Sequence, residues 1–175
     1  MEPSRHVQVR CEINGRPSVL TGEPASPVLG ALRAKGMVSV RETCGLGVCG
    51  TCTVQLDGEP VSTCILPLYA VEGRCVRTAE GLEEQGRLSE LQRQFIGFQA
   101  FQCSFCTPGF LMSATALLES TEGELTAAQV TEGLQGHLCR CGCYVAIIEA
   151  VQACAARRGA ACAAVTPGGS ATDPV

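Results

Sequence analysis

The sequence has no excess of basic residues and no long apolar segment. Its 13 lysines and arginines are outnumbered by 17 aspartates and glutamates, which gives a formal net charge of −4. Because a nucleic-acid footprint or a polybasic membrane patch requires clustered cations, we expect neither nucleic acid nor a membrane as a partner. Glycine and polar residues interrupt every apolar run before the roughly 18 residues of a membrane span. We therefore expect a soluble protein.

The sequence also lacks an export signal and the common motifs of catalysis. Residues 1–20 contain neither the apolar core of a secretory peptide nor a twin-arginine pair, so we expect a cytoplasmic protein. Nothing in the sequence forms a dinucleotide-binding GxGxxG after a strand, a P-loop or a nucleophile elbow. We accordingly expect no catalytic residue and no substrate chemistry on this chain.

Cysteine, in contrast, is abundant, with 13 in 175 residues. Disulfides, zinc and iron-sulfur chemistry compete as explanations. An odd number of cysteines leaves at least one thiol unpaired within the chain, and a reducing cytosol disfavours disulfides. The composition therefore favours metal or redox chemistry.

The first half of the sequence predicts short strands around one helix. Alternating apolar residues flank an Asn-Gly and an Asp-Gly turn, which indicates two hairpins. A short helix after Pro27 and a last short strand complete a small mixed sheet within residues 1–80. The predicted strands cover about 7–13, 19–20, 51–56, 61 and 75–78, with turns at Asn14-Gly15 and Asp57-Gly58.

The second half changes to helical periodicity and predicts a four-helix bundle over residues 87–157. Thr107 is predicted as an N-cap followed by Pro108, and Thr126 with Gln129 fits a capping box. The first predicted helix spans about 87–99, the second starts at 107, the third spans 126–136 and the fourth starts at Tyr144. Residues 81–86 are predicted as a linker and residues 158–175 as a flexible tail.

Eight cysteines fall into two sets with metal-ligand spacing. The first set has the C-x4-C-x2-C spacing of plant-type [2Fe-2S] proteins, with a fourth cysteine further along the chain. Three interleaved glycines permit the tight, positive-φ backbone that aims N–H groups at sulfur. The set comprises Cys44, Cys49, Cys52 and Cys64, with Gly45, Gly47 and Gly50 between the first three.

The second set pairs a CxxC at the start of one predicted helix with a CxC just before another. These residues are Cys103, Cys106, Cys139 and Cys141. Helix N-termini partly offset thiolate charge, but four thiolates also suit tetrahedral zinc, so this set alone leaves both metals open. Beside a plant-type loop, a second redox cluster is the preferred interpretation, because two clusters form a relay.

Together these motifs resemble the small iron-sulfur subunit or domain of the molybdenum hydroxylases, the group of xanthine dehydrogenase, aldehyde oxidoreductase and carbon monoxide dehydrogenase. The resemblance covers residues 6–155. The matching segments are Cys44-x4-Cys49-Gly-Thr-Cys52-Thr-Val-x-Leu-Asp-Gly, Cys64, Gln102-Cys103-Ser-Phe-Cys106-Thr-Pro-Gly109 and Gly136-His-Leu-Cys139-Arg-Cys141.

The resemblance implies an α+β protein with a ferredoxin-like β-grasp domain and a helical domain, each with one [2Fe-2S] cluster on its four cysteines. It implies a large subunit that holds a molybdenum-pterin cofactor and a medium subunit that holds FAD, in a dimer of heterotrimers. The second cluster would face the pterin, with Gln102 in contact with it, and the first cluster would face FAD. The chain would carry electrons between them.

Four residues at three places depart from the family pattern near the second set. Ser104 replaces a glycine, His137 an asparagine, and Gly142-Cys143 a Thr-Gly pair. We expect a donor from Ser104 and a positive charge from His137 to raise the reduction potential, with His137 not itself a ligand. Cys143 could replace Cys141 as a ligand of the second cluster, but the resemblance favours Cys141.

Two other functions remain open at this point. A free-standing two-cluster carrier would shuttle electrons between separate enzymes, and a zinc-stabilised interaction module would have no redox function. Iron content and visible absorption distinguish the zinc protein from both redox proteins.

Overall fold

A computed structural model describes residues 6–83 and 85–163 of the chain. Within these ranges it has five β-strands, all before residue 78, and five α-helices, four of them after residue 89. The strands are β1 Val7–Ile13, β2 Arg16–Gly22, β3 Thr53–Leu56, β4 Glu59–Ser62 and β5 Cys75–Arg77. The helices are α1 Val28–Ala34, α2 Glu90–Gly97, α3 Thr107–Ser120, α4 Ala127–Gly133 and α5 Tyr144–Ala163, and short 3-10 helices occur at Leu68–Val71 and Ala79–Leu82.

The strands form one mixed sheet in the order β2-β1-β5-β3-β4. Both predicted hairpins are confirmed, because β1 pairs with β2 and β3 with β4 in antiparallel register. The turn residues Asn14 and Gly15 have φ angles of 51° and 77°, and Asp57 and Gly58 have 52° and 91°. Two successive positive φ angles define the tight turn that suits the right-handed twist of paired strands. Strand β5 then joins β1 in parallel and β3 in antiparallel register.

The core of the first half forms where α1 covers this sheet. Val28, Leu29 and Leu32 on α1 are buried, as are Leu20 on β2 and Leu68 in the first 3-10 helix. The alternation of apolar and polar residues along β1 places one row of side chains in this core and leaves the other exposed.

Helix α2 is shorter than the periodicity predicts. The Ser89 hydroxyl accepts a hydrogen bond from the Gln92 amide and the Gln92 side chain accepts one from the Ser89 amide, so the helix begins at Glu90. Leu88 and Phe98 fall within the predicted span of 87–99, but Leu88 lies before the helix and Phe98 at its C-cap, and both side chains are exposed.

The other helix boundaries agree closely with the sequence. Thr107 is the first residue of α3 and not its N-cap, which is Cys106, while Pro108 lies in the first turn as predicted. The capping box of Thr126 and Gln129 is confirmed at the start of α4. Helix α5 continues to Ala163, past the predicted boundary at 157, and residues 164–175 of the predicted tail lie outside the described residues.

Helix α3 connects the two halves, because it packs against β3 and β4 as well as against the other helices. Gln55 on β3 is buried at this contact and donates a hydrogen bond from its side-chain amide to the Met112 carbonyl, 3.2 Å away. No helix in residues 6–83 and 85–163 combines the length and apolarity needed to cross a bilayer.

Candidate metal centres

The first cysteine set assembles at the open end of the β3–β4 hairpin. Cys52 immediately precedes β3, and Cys64 follows shortly after β4. Because Thr53 pairs with Ser62 across the hairpin, these two cysteines reach the same end of the sheet. Cys49, Cys52 and Cys64 are buried, and Cys44 is partly exposed.

The glycines of this loop adopt the predicted backbone. Gly45, Gly47 and Gly50 have φ angles of 65°, 73° and 70°, which disfavour any residue with a Cβ. This conformation directs main-chain donors to sulfur, since the Leu46 amide lies 3.4 Å from the Cys44 sulfur. The Gly47 amide likewise lies 3.3 Å from the sulfur of Cys64. The loop thus offers hydrogen bonds that favour thiolate sulfur.

The thiols of the first set meet in pairs. The Cys44 thiol lies close enough to that of Cys49 to interact with it, and the Cys52 thiol likewise to that of Cys64. Hydrogen bonds from the backbone, first that of Leu46, lower the pKa of Cys44 to about 6, whereas burial raises the pKa of Cys64 to about 11. Two adjacent pairs of thiols suit a two-iron cluster, in which each iron takes two cysteine ligands.

The second set joins two loops that each precede a helix. Cys103 and Cys106 lie just before α3, and Cys139 and Cys141 lie just before α5. Their thiols pair across the loops, Cys103 with Cys141 and Cys106 with Cys139. Burial raises the pKa of Cys106 to about 12. Among the described residues, no group of three or more His, Cys, Asp or Glu side chains is arranged to hold a single metal ion.

Cys143 belongs to the surroundings of the second set. Its amide donates a hydrogen bond to the Cys139 sulfur at 3.4 Å, and its side chain is buried. Burial raises the pKa of the Cys143 thiol, which favours its protonated form. The Cys141 thiol lies close enough to that of Cys103 to interact with it, and Cys141 as the fourth ligand stays a prediction.

His137 does not supply the positive charge expected of it. Its Nε2 atom lies 2.6 Å from the Ser113 hydroxyl on α3, and its ring centroid lies 4.8 Å from that of Phe110. Burial lowers the pKa of His137 to about 4, so the imidazole is neutral at neutral pH. His137 therefore acts as a buried packing and hydrogen-bonding residue.

Gln102 and the phenylalanines of this region divide between the surface and the core. Gln102 is exposed beside Cys103. Phe95 and Phe110 are buried in the core, whereas Phe98 and Phe105 are exposed. The guanidinium of Arg41 lies 4.8 Å from the Phe105 ring centroid, which links the segment before the first set to the CxxC loop. The sequence gives no signal for this contact.

One backbone hydrogen bond connects the two sets. The amide of Leu138 donates to the carbonyl of Cys49 at 3.1 Å, and Leu138 is bonded directly to Cys139. Glycines make the close approach possible, because a Cβ at Gly50 would overlap His137 and one at Gly109 would overlap the Gly50 carbonyl. The sequence alone assigns Gly50 only to the first loop and gives no indication of this junction.

Comparisons with known proteins match both halves of the chain. A family model described as "2Fe-2S iron-sulfur cluster binding domain" matches residues 11–89, and one described as "[2Fe-2S] binding domain" matches residues 78–152. The xanthine dehydrogenase iron-sulfur-binding subunit of Escherichia coli O157:H7 is 39% identical over 155 residues, which is 88% of this chain and 98% of that protein.

Two further proteins show the same similarity. The nicotine 6-hydroxylase small subunit of Paenarthrobacter nicotinovorans is 41% identical over 150 residues, which is 85% of this chain and 90% of that protein. The crystal structure of quinoline 2-oxidoreductase from Pseudomonas putida 86 contains a chain with a TM-score of 0.81 and 38% identity. That match covers 89% of this chain and 99% of the other.

Proposed function

The chain belongs to the family of iron-sulfur subunits of xanthine dehydrogenase and related molybdenum hydroxylases, and we propose that it transfers electrons through two [2Fe-2S] clusters. When bound, each cluster accepts and releases one electron. Cys44, Cys49, Cys52 and Cys64 would hold the first cluster, and Cys103, Cys106, Cys139 and Cys141 the second.

The observation that carries this proposal is that eight cysteine thiols assemble into two sets of four, and that a backbone hydrogen bond connects the two sets. The Leu138 amide and the Cys49 carbonyl provide a short route of covalent and hydrogen bonds from one ligand set to the other. The chain itself fixes the distance between the sets, buries four of the eight ligands and directs amides at sulfur. A relay requires these properties and no group that acts on a substrate.

We further propose the architecture and partners of the family for this chain. The first half would be a β-grasp domain over residues 1–80 and the second a helical domain over 87–157, divided by 81–86. A large subunit with a molybdenum-pterin cofactor would contact the second set, with Gln102 at the pterin, and a medium FAD subunit would contact the first. The complex would be a cytoplasmic dimer of heterotrimers.

Exposed apolar side chains near both sets support partner subunits. Leu46, Val48 and Ile65 around the first set are 75%, 61% and 61% exposed. Leu138 and Phe105 beside the second set are exposed as well. Apolar side chains clustered at a functional site are typical of surfaces that another protein covers.

The ligand assignment is tested by replacing one cysteine of each set. The purified wild-type chain is expected to contain about four iron and four sulfide ions and to give two distinct EPR signals after reduction by dithionite. Cys52→Ala should remove the first signal and Cys141→Ala the second, while Cys75→Ala, at an exposed position on β5, should keep both. A colourless zinc protein would contradict the redox function.

Copurification tests the subunit proposal separately. Affinity capture of the chain from its own cells should recover a larger molybdenum-containing subunit and a flavin-containing subunit. A two-cluster monomer without associated proteins would instead indicate a free-standing carrier.

A further inference from the structure

The side chain of Thr51 lies against a sulfur of the first cysteine set. We propose that its hydroxyl donates a hydrogen bond to the Cys49 sulfur and thereby raises the reduction potential of the first cluster. The inference rests on the proposed function, since it takes Cys49 as a cluster ligand. Thr51 would then be a residue that positions a proton near the cofactor and would not itself bind iron.

The geometry identifies three partners for this hydroxyl group. Thr51 Oγ1 lies 3.2 Å from the Cys49 sulfur, 2.9 Å from the Thr43 hydroxyl and 3.2 Å from the Arg41 carbonyl. Thr51 is only 5% exposed, so water molecules have little access to these hydrogen-bonding groups. The Arg41 amide also donates to the Thr51 carbonyl at 3.3 Å, which fixes the two segments together.

The numbers of donors and acceptors around Thr51 determine which atom accepts its hydroxyl proton. A threonine hydroxyl has one proton to donate, and a carbonyl such as that of Arg41 can only accept. The exposed Thr43 hydroxyl can donate to Thr51, so the single Thr51 proton is shared between the Arg41 carbonyl and the Cys49 sulfur. As a metal ligand, Cys49 is a thiolate that can only accept. Its charge makes the sulfur the stronger acceptor.

The same hydrogen bond distinguishes the two oxidation states. Reduction adds one electron to the iron-sulfur core and increases the negative charge on its ligands, while no bond of Thr51 breaks. A buried donor stabilises the more negative state to a greater extent, because the low local dielectric strengthens the interaction. The Thr51 hydroxyl therefore favours the reduced cluster, and hydrogen bonds to sulfur are a known determinant of cluster potential.

The test compares three variants of the purified full-length chain with both clusters loaded. Thr51→Val removes the hydroxyl at nearly constant shape, Thr51→Ser keeps it, and Thr43→Val removes a hydroxyl that contacts Thr51 but not the sulfur. Potentials are measured by EPR-monitored titration with dithionite. The second cluster, which gives its own signal in the same sample, serves as the internal reference.

We expect Thr51→Val to lower the reduced-to-oxidised ratio of the first cluster about tenfold at a fixed ambient potential. For a one-electron couple, this change corresponds to a reduction potential that is lower by about 59 mV. Thr51→Ser and Thr43→Val should stay close to wild type, and the second cluster should not shift. A Thr51→Val potential equal to wild type, or an equal shift of both clusters, would overturn the inference.

A second measurement covers the case in which Thr51→Val loses its first cluster. Electron-nuclear double resonance on the reduced wild-type and Thr51→Ser chains should detect a strongly coupled exchangeable proton. The signal of this proton should be absent in Thr51→Ala, which has no hydroxyl group at this position. Equal proton couplings in wild type and Thr51→Ala would refute the role of Thr51. If the wild-type chain itself gave no first-cluster signal, the ligand assignment and this inference would both fail.

Discussion

Ser104 occupies a left-handed backbone conformation, with a φ angle of 61°, in the turn between Cys103 and Cys106. A side chain in this region costs about 1–2 kcal/mol, whereas glycine loses about 0.5–1 kcal/mol more conformational entropy on folding. We therefore expect Ser104→Gly to stabilise the folded chain by up to about 1 kcal/mol, measured as a higher midpoint of thermal unfolding. Ser120→Gly, at the helical end of α3, should lower that midpoint. Destabilisation by both substitutions would contradict the strain argument.

Glu80 gives the stability of the chain a defined pH dependence. Its carboxylate accepts hydrogen bonds from the Ser39 amide and hydroxyl at 2.8 and 2.5 Å and from the Thr78 hydroxyl at 2.6 Å. Burial alone would raise the pKa of Glu80, but these hydrogen bonds outweigh it and hold the pKa below the ordinary value of 4.5. A carboxyl group with a lowered folded pKa stabilises the protein above its unfolded pKa, and this contribution disappears as the pH falls through the folded pKa.

We therefore expect Glu80→Gln to lower the free energy of unfolding at pH 7 and to flatten its fall between about pH 5 and pH 3. Urea unfolding of wild type and variant across this range measures the difference. Glu122→Gln, at an exposed position, serves as the control and should retain the wild-type slope. A Glu80→Gln profile parallel to wild type would show that this carboxyl group is not the source.

At the residue scale, the sequence predicts the cysteine ligands but not the side chains that contact them. The spacing of the cysteines identifies two sets that the structure brings together, because each short motif fixes its own loop. Thr51 and Ser113 carry no such signal, since their roles depend on contacts with Cys49 and His137. The charge expected of His137 was wrong for the same reason, because burial is a property of the packed molecule.

At the scale of elements, the start of α3 depends on a glycine. A methyl group at Gly109 would overlap the carbonyl oxygen of Gly50 in the first cysteine loop. We expect Gly109→Ala to destabilise the folded chain by about 1–3 kcal/mol, because a backbone atom cannot move aside as a side chain can. The shift in the denaturant midpoint measures this effect. Gly30→Ala on α1, where nothing lies within 4 Å, should instead be neutral or stabilising.

Local chemistry explains which elements were predictable. The Asn14-Gly15 and Asp57-Gly58 turns and the Thr126 capping box act within a few residues, so the hairpins and the start of α4 follow from the sequence. The limits of α2 were less well predicted, because apolar periodicity continues through Leu88 and Phe98 while the Ser89 capping box sets the first turn. Capping is the more reliable indicator of a helix boundary here.

At the scale of the whole molecule, the contact between the halves is the feature that the sequence does not reveal. The order β2-β1-β5-β3-β4 and the packing of α3 on β3 both join segments distant in the chain. Gly50 and Gly109 show that the cysteine loop and α3 are fitted to each other. The distance between the two cysteine sets is therefore fixed by the same packing that stabilises the fold.

Gln55 provides a test of this coupling, because its side-chain amide is buried on β3 and donates to Met112 on α3. We expect the wild-type chain to unfold in one transition, in which the visible absorption of both clusters and the helical far-ultraviolet circular dichroism are lost at the same urea concentration. Gln55→Ala removes a buried hydrogen bond and leaves a small cavity at the contact, so it should lower the stability of this shared transition by about 1–3 kcal/mol. Gln8→Ala, at an exposed position on β1, is the matched control and should leave the midpoint unchanged. If Gln55→Ala shifted the cluster absorption but not the helical signal, the halves would be separate folding units and the distance between the clusters would not be fixed by the core.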